Sequence, residues 1–217
     1  MVYVPSDFTI TLILRGFPIY AKLSKNETKI LATIIAVRSG NTYKTWKASG
    51  LKHYPTVLRI LKKLEEKRLV KTLSEDGIRG ERIYAPTLFG TLLNYALRDD
   101  KDKLKEIISL ESPRFQEAFK SEVIDDSWAY SIVLDMASDA TGGKKRTIDD
   151  IMEETFSDIV SNELLDIVHY PEHKSRIVKF AKAHWIRELT IKYIEDETEW
   201  AKKYVQELRK LKGELAV

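Results

Sequence analysis

Cysteine is absent from the 217 residues, which excludes a disulfide framework, a thiolate metal site and a thiol nucleophile. Amide side chains are scarce: two Gln (Gln116, Gln206) and four Asn (Asn26, Asn41, Asn94, Asn162) stand against abundant Lys and Glu. Few thermolabile residues beside many Lys and Glu is a thermophile signature. No apolar run approaches the roughly 18 residues that would span a bilayer. The start lacks the basic region and continuous apolar segment of a signal peptide. These absences predict a cytoplasmic protein with no membrane contact. Neither a Gly-x-Ser-x-Gly turn nor a Ser-His-Asp order occurs, so no enzymatic role and no cofactor is expected.

What remains is a chain with 43% apolar and 32% charged residues, enough for one large domain or two small ones. The net charge of +3 conceals a split. Residues 1–98 hold 17 Lys+Arg and 7 Asp+Glu, a net of +10; residues 99–217 hold 19 and 26, a net of −7. A polyanion is drawn to the first part and repelled by the second.

The basic part carries a pattern. Ser24-Lys25-Asn26-Glu27 is a capping box, and Ile30, Leu31, Ile34, Ile35 and Val37 follow at helical spacing before Ser39-Gly40-Asn41 stops the helix. Residues 42–51 predict a short helix closed at Gly50. A second helix follows from about Tyr54 to Lys67, with Val57, Leu61 and Leu64 on one face and Arg59, Lys62 and Lys63 on the other. Residues 69–73 and 82–85 alternate like strands around a Gly-bearing tip that includes Arg79. Helix, turn, helix and a two-stranded wing place a basic helix in the major groove of double-stranded DNA. The outward face of residues 52–63 holds Lys52, His53, Tyr54, Thr56, Arg59, Lys62 and Lys63 with no acid. Thr42, Lys44 and Lys47 on the preceding helix meet phosphates in this reading, and Arg79 and Arg82 reach an adjacent groove.

Residues 24–97 resemble the winged-helix regulators of the MarR-like and PadR-like kind. The residues that carry this are Ser49-Gly50-Leu51, the run from Thr56 to Val70, and the stretch from Gly80 to Thr87. The resemblance implies base-edge contacts at Tyr54, Thr56 and Arg59, and a wing bearing Arg79 and Arg82. The turn between Gly50 and Val57 is about one residue longer than the common pattern, and the acidic half matches no effector domain of that kind.

The fold expected is mainly α: a winged helix over residues 1–98, with an N-terminal extension 1–23, then an all-helical dimerisation or effector domain over 99–217. Residues 8–14 and 19–23 of the extension have strand composition, with a short helix as the alternative. Asp99-Asp100-Lys101-Asp102 marks the boundary. A helix starting at Ser112-Pro113 has Phe115, Phe119, Val123, Trp128, Ile132 and Leu134 as its core. Residues 140–146 form a loop, Thr147-Ile148-Asp149-Asp150 restarts a helix, and Tyr170-Pro171 interrupts it. A long last helix from about His173 carries one apolar stripe, with Ile186, Leu189, Tyr193, Trp200, Tyr204, Leu208 and Leu211 predicted as the contact with a two-fold mate. Dense aromatics here could also line a pocket for a small apolar effector.

Other constellations carry less. His169-Tyr170-Pro171-Glu172-His173 offers two imidazoles and a carboxylate, but Pro171 breaks the helix that would align them and a fourth zinc ligand is missing. Gly142-Gly143-Lys144-Lys145-Arg146-Thr147 lacks the spacing of a phosphate loop. Asp125-Asp126, Asp149-Asp150 and Glu195-Asp196-Glu197 have the character of helix caps and solvated faces. Together these features predict a sequence-specific DNA-binding transcription regulator acting as a homodimer. The alternatives are a winged helix that docks a protein in a larger assembly, and an architectural or replication-associated DNA binder.

Overall fold

The computed structural model describes residues 23–74 and 82–215. The N-terminal extension before Leu23 and the wing tip with Arg79 lie outside the described residues. The elements fall into two compact units, one of Met1–Glu111 with Asp126–Thr147, the other of Ser112–Asp125 with Ile148–Val217.

In the first unit, helix α1 (Lys25–Val37) begins at the capping box: the Glu27 amide donates to Ser24 Oγ at 3.3 Å, and the Ser24 amide donates to Glu27 Oε2 at 2.7 Å. Its buried residues Ile30, Leu31 and Ile34 form the floor on which the next two helices pack. A two-residue strand β1 (Gly40–Asn41) leads into α2 (Thr42–Ser49), where the Asn41 side chain caps the helix by accepting from the Lys44 amide at 2.8 Å. Gly50 closes α2 at φ +63°, a left-handed conformation that suits glycine. Helix α3 (Tyr54–Glu66) buries Val57, Ile60, Leu61 and Leu64 and packs on α1 and α2.

Strands β2 (Val70–Ser74) and β3 (Ile83–Pro86) pair antiparallel, with Thr72 opposite Tyr84 and a bulge between Thr72 and Ser74. The sheet has the order β1-β3-β2, because Gly40 and Asn41 pair with Tyr84 and Ile83. The sequence pattern treats residues 39–41 only as a helix stop; they also form the third strand. Three helices and a small antiparallel sheet in this order are compatible with a winged helix.

Helix α4 (Leu88–Ala96) comes next, capped by the Thr87 hydroxyl, which accepts from the Gly90 amide at 2.9 Å. The acidic break at residues 99–102 covers the end of the turn between α4 and α5 (Lys101–Glu111) and the first two residues of α5, and these two helices pack together within the first unit. There the buried Tyr130 hydroxyl donates to Asp99 Oδ1 at 2.5 Å. Burial first, then the hydrogen bond to Asp99 and the Asp99 charge, hold that phenol well above its usual range.

The sequence pattern runs one helix from Ser112 past Leu134, but the structure has two. Helix α6 (Pro113–Lys120) belongs to the second unit and α7 (Ser127–Gly142) to the first. The chain turns at Ser121 and Glu122, the latter at φ +57°, with no Pro or Gly to signal it. Gly143 at φ +77° ends α7.

The second unit comprises α6, α8 (Ile148–His169), a single 3-10 turn (Pro171–His173), α9 (Lys174–Phe180) and α10 (His184–Leu215). The long final helix expected from about His173 is therefore broken, and its continuous part begins at His184. Phe156 is fully buried and meets Phe180 and Trp185 edge-on, at 5.9 and 5.2 Å between ring centroids. Trp185 Nε1 donates to the Arg114 carbonyl at 3.1 Å, fixing the start of α10 on α6. Phe156 is core, and Phe180 and Trp185 are half-buried against it.

Candidate nucleic-acid interface

Helix α3 is strongly amphipathic, and burying Val57, Ile60, Leu61 and Leu64 turns Arg59, Lys62 and Lys63 outward. Lys52, His53 and Tyr54 are exposed on the approach and first turn, where Pro55 sits in the position that needs no backbone donor. Lys44 and Lys47 are exposed on α2. The Lys44 ammonium donates to the Ser39 carbonyl at 3.1 Å, so part of its charge steadies the end of α1.

Two predicted residues stand differently from the rest. Thr42 is buried, because pairing of β1 with β3 draws the first residue of α2 beneath the sheet. It therefore does not present its hydroxyl with the exposed set. Thr56 is half-buried and lines a groove of about 260 Å³ between the start of α1 and α3, with Ser24, Asn26, Glu27, Arg59 and Lys63. Arg82 is exposed immediately before β3, its guanidinium 3.9 Å from Glu65, which also accepts from the Thr72 hydroxyl at 2.6 Å. Glu65 thus ties α3 to the base of the hairpin.

Sequence reasoning missed an aromatic cluster beside these cations. Tyr43 and Trp46 of α2 lie 5.7 Å apart, and Trp46 meets Tyr54 of α3 edge-on at 6.0 Å. The Lys47 ammonium stands 4.8 Å from the centre of the Tyr43 ring. The i, i+3 spacing of Tyr43 and Trp46 was the available signal, since it puts both rings on one helix face.

Glu27 sits beneath the cationic face as its counter-charge. Burial pushes its carboxyl up, but the hydrogen bonds with Ser24 and the charges of Lys67 and Lys63 outweigh this and hold it below the usual range. The described part of the interface can attract a polyanion through Lys47, Lys52, Arg59, Lys62 and Lys63, and offers Tyr54 and Arg59 for closer contact.

The predicted dimer stripe divides along α10. Ile186 is wholly buried in its own unit, so it has no surface left for a mate; Leu189 and Tyr193 are half-buried. Trp200, Tyr204, Leu208 and Leu211 are exposed, at 61%, 51%, 46% and 50%. Elsewhere, His173 pairs with Asp166 at 2.6 Å. No three His, Asp or Glu side chains among the described residues converge on a metal site, and no described helix is long and apolar enough to cross a membrane.

No protein-family profile matches the chain. Class 3 fructose-1,6-bisphosphatases from Bacteroides fragilis and Bacteroides thetaiotaomicron are 28% identical to it over 110 residues, which is 49% of this chain and 16% of each enzyme. The chain therefore spans under a fifth of those relatives. Among solved structures, a mutant MarR from E. coli aligns with a TM-score of 0.35 and 13% identity, covering 52% of this chain and 88% of that one.

Proposed function

We propose that this chain is a sequence-specific double-stranded DNA-binding transcription regulator that acts as a dimer and carries no catalytic activity. The observation that supports this best is the acid-free outer face of residues 52–63, which presents Lys52, Arg59, Lys62 and Lys63 on and beside a helix braced by α1, α2 and a hairpin. Arg59 and Tyr54 are the base-reading residues in this reading; Lys47, Lys52, Lys62 and Lys63 hold phosphates. One head reads only a few base pairs, so discrimination calls for two heads on one site.

The salt dependence of binding tests this. Roughly five phosphate contacts per subunit, from these four lysines together with Lys44 and the wing arginines, predict a slope of log K against log salt of about −9 for the dimer. A slope shallower than about −3 would remove the basic face as the docking surface. The runner-up is a head that docks a protein, which draws on the exposed Tyr43 and Tyr54. It predicts no appreciable DNA binding even at low salt.

A further inference from the structure

We propose that a second copy of this chain covers the outer half of α10, the two helices running antiparallel about a two-fold axis level with Lys202. The inference deepens the dimer reading above by assigning its surface and symmetry. Its observations all lie within the second unit.

The apolar positions of α10 repeat every eleven residues: Leu189, Trp200 and Leu211 form one series, Tyr193, Tyr204 and Leu215 another. Eleven residues make three turns at 3.67 each, close to the natural pitch of the helix, so the stripe runs almost straight along it. The repeat is also palindromic. In an antiparallel two-fold pair, facing residues have numbers with a constant sum. With the axis at Lys202, Trp200 meets Tyr204 of the second copy, Tyr193 meets Leu211, and Leu189 comes level with position 215. Trp200 and Tyr204 already stack within one helix, at 5.2 Å and 7°, so four rings would gather around the axis. Tryptophan and tyrosine are the residues that interface centres favour.

Charge fixes the direction. Residues 195–199 hold Glu195, Asp196, Glu197 and Glu199, while residues 202–212 hold Lys202, Lys203, Arg209, Lys210 and Lys212 against Glu207 alone. A parallel pair would set acid on acid and base on base. The antiparallel pair does the opposite: Asp196, Glu199, Lys203 and Lys210 follow one edge of the stripe at 3, 4 and 7 residue steps. Asp196 comes beside Lys210 of the second copy, and Glu199 beside its Lys203. Three like-charged pairs also come level: Glu197 with Glu207, Lys192 with Lys212, and Lys202 with its own copy. At about 100° per residue the two lysine pairs lie off the stripe, and Glu207 holds its own Lys210 at 2.6 Å.

The other edge of the stripe borders a groove of about 510 Å³ between α8 and α10, lined by Leu164, Leu165, Tyr193, Ile194, Trp200 and Ala201. In this register Leu208 and Leu211 of the second copy reach the level of Tyr193 to Glu197, beside that groove. Charge, palindrome and groove select the same partner.

The absence of native cysteine makes the test clean. Spin labels on Lys202→Cys and, separately, on Lys212→Cys report the distance between copies. Lys212 lies ten residues past the axis, so its two labels are offset along the helices by about 30 Å, while those at Lys202 have no axial offset. The Lys212 distance should therefore exceed the Lys202 distance by about 10 Å. Asp196→Lys and Lys210→Glu, both at exposed positions, should each weaken the dimer on the order of tenfold, and the double reversal should restore it. Light scattering that shows a wild-type monomer at tens of micromolar, equal distances at the two sites, or no rescue would each overturn the inference. A monomer would leave the groove to a small apolar ligand. DNA binding is scored separately: a dimer with these distances that ignores DNA refutes only the regulator reading, and a monomer that binds DNA refutes only this one.

Discussion

Gly90 and Leu69 approach so closely that a Cβ on Gly90 would stand 2.0 Å from the Leu69 carbonyl oxygen. Thr87 reinforces the junction, donating its hydroxyl to the Arg68 carbonyl at 2.7 Å while accepting from the Gly90 amide. The start of α4 is thereby pressed onto the short link between α3 and the hairpin.

Gly90→Ala should destabilise the protein by about 3 kcal/mol, because the obstacle is backbone with little room to yield. Helix propensity alone points the other way, favouring alanine by about 1 kcal/mol. Urea unfolding of the two proteins decides between them. A variant as stable as the parent would mean that α4 slides freely on the hairpin.

The legible parts of the fold were those written locally. Helix α1 announces itself with Ser24 and Glu27, α2 ends at Gly50, and α3 has an apolar face at helical spacing. Strand β1 was illegible because two residues carry no period; Gly40 and Asn41 are a strand only by pairing with Tyr84 and Ile83 far along the chain. The same pairing buries Thr42, which local pattern placed on the surface. The turns at residues 121–122 and 181–183 lack Pro and Gly, so apolar periodicity ran straight through them. Of the candidate interface, the cations were legible and the Tyr43–Trp46–Tyr54 cluster was not, since Tyr54 joins it from a different helix. The division of the α10 stripe into a buried start and an exposed end depends on where neighbouring helices stop.

The counter-charge under the basic face gives a pH dependence. Folding lowers the Glu27 pKa from its ordinary 4.5, so the unfolded chain binds that proton more readily than the folded one. The stabilisation is therefore fully present above about pH 4.5 and is lost as pH falls through the lower folded value. Glu27→Gln should cost about 1 kcal/mol at pH 7, and the gap from wild type should narrow toward about pH 3. Urea melts at both pH values measure it. An undiminished gap at the acid end would mean that Glu27 acts through its shape and hydrogen bonds rather than its charge.

Under the proposed function, Arg59 and Lys47 divide the work of the basic face between reading and holding. Arg59 projects from α3, where a guanidinium can grip a guanine edge with two hydrogen bonds; Lys47 projects from α2 and holds only a point charge, partly shared with the Tyr43 ring. Arg59→Ala should therefore cost on the order of 1–3 kcal/mol on a preferred site and much less on random DNA. Lys47→Ala should weaken binding to both alike and flatten the salt slope by about one unit per contact removed. Titrations of each variant against a selected site and a scrambled competitor, at several salt concentrations, separate the two roles. If both variants lose affinity uniformly, α3 holds backbone rather than bases, and the head belongs to an architectural binder with little sequence preference.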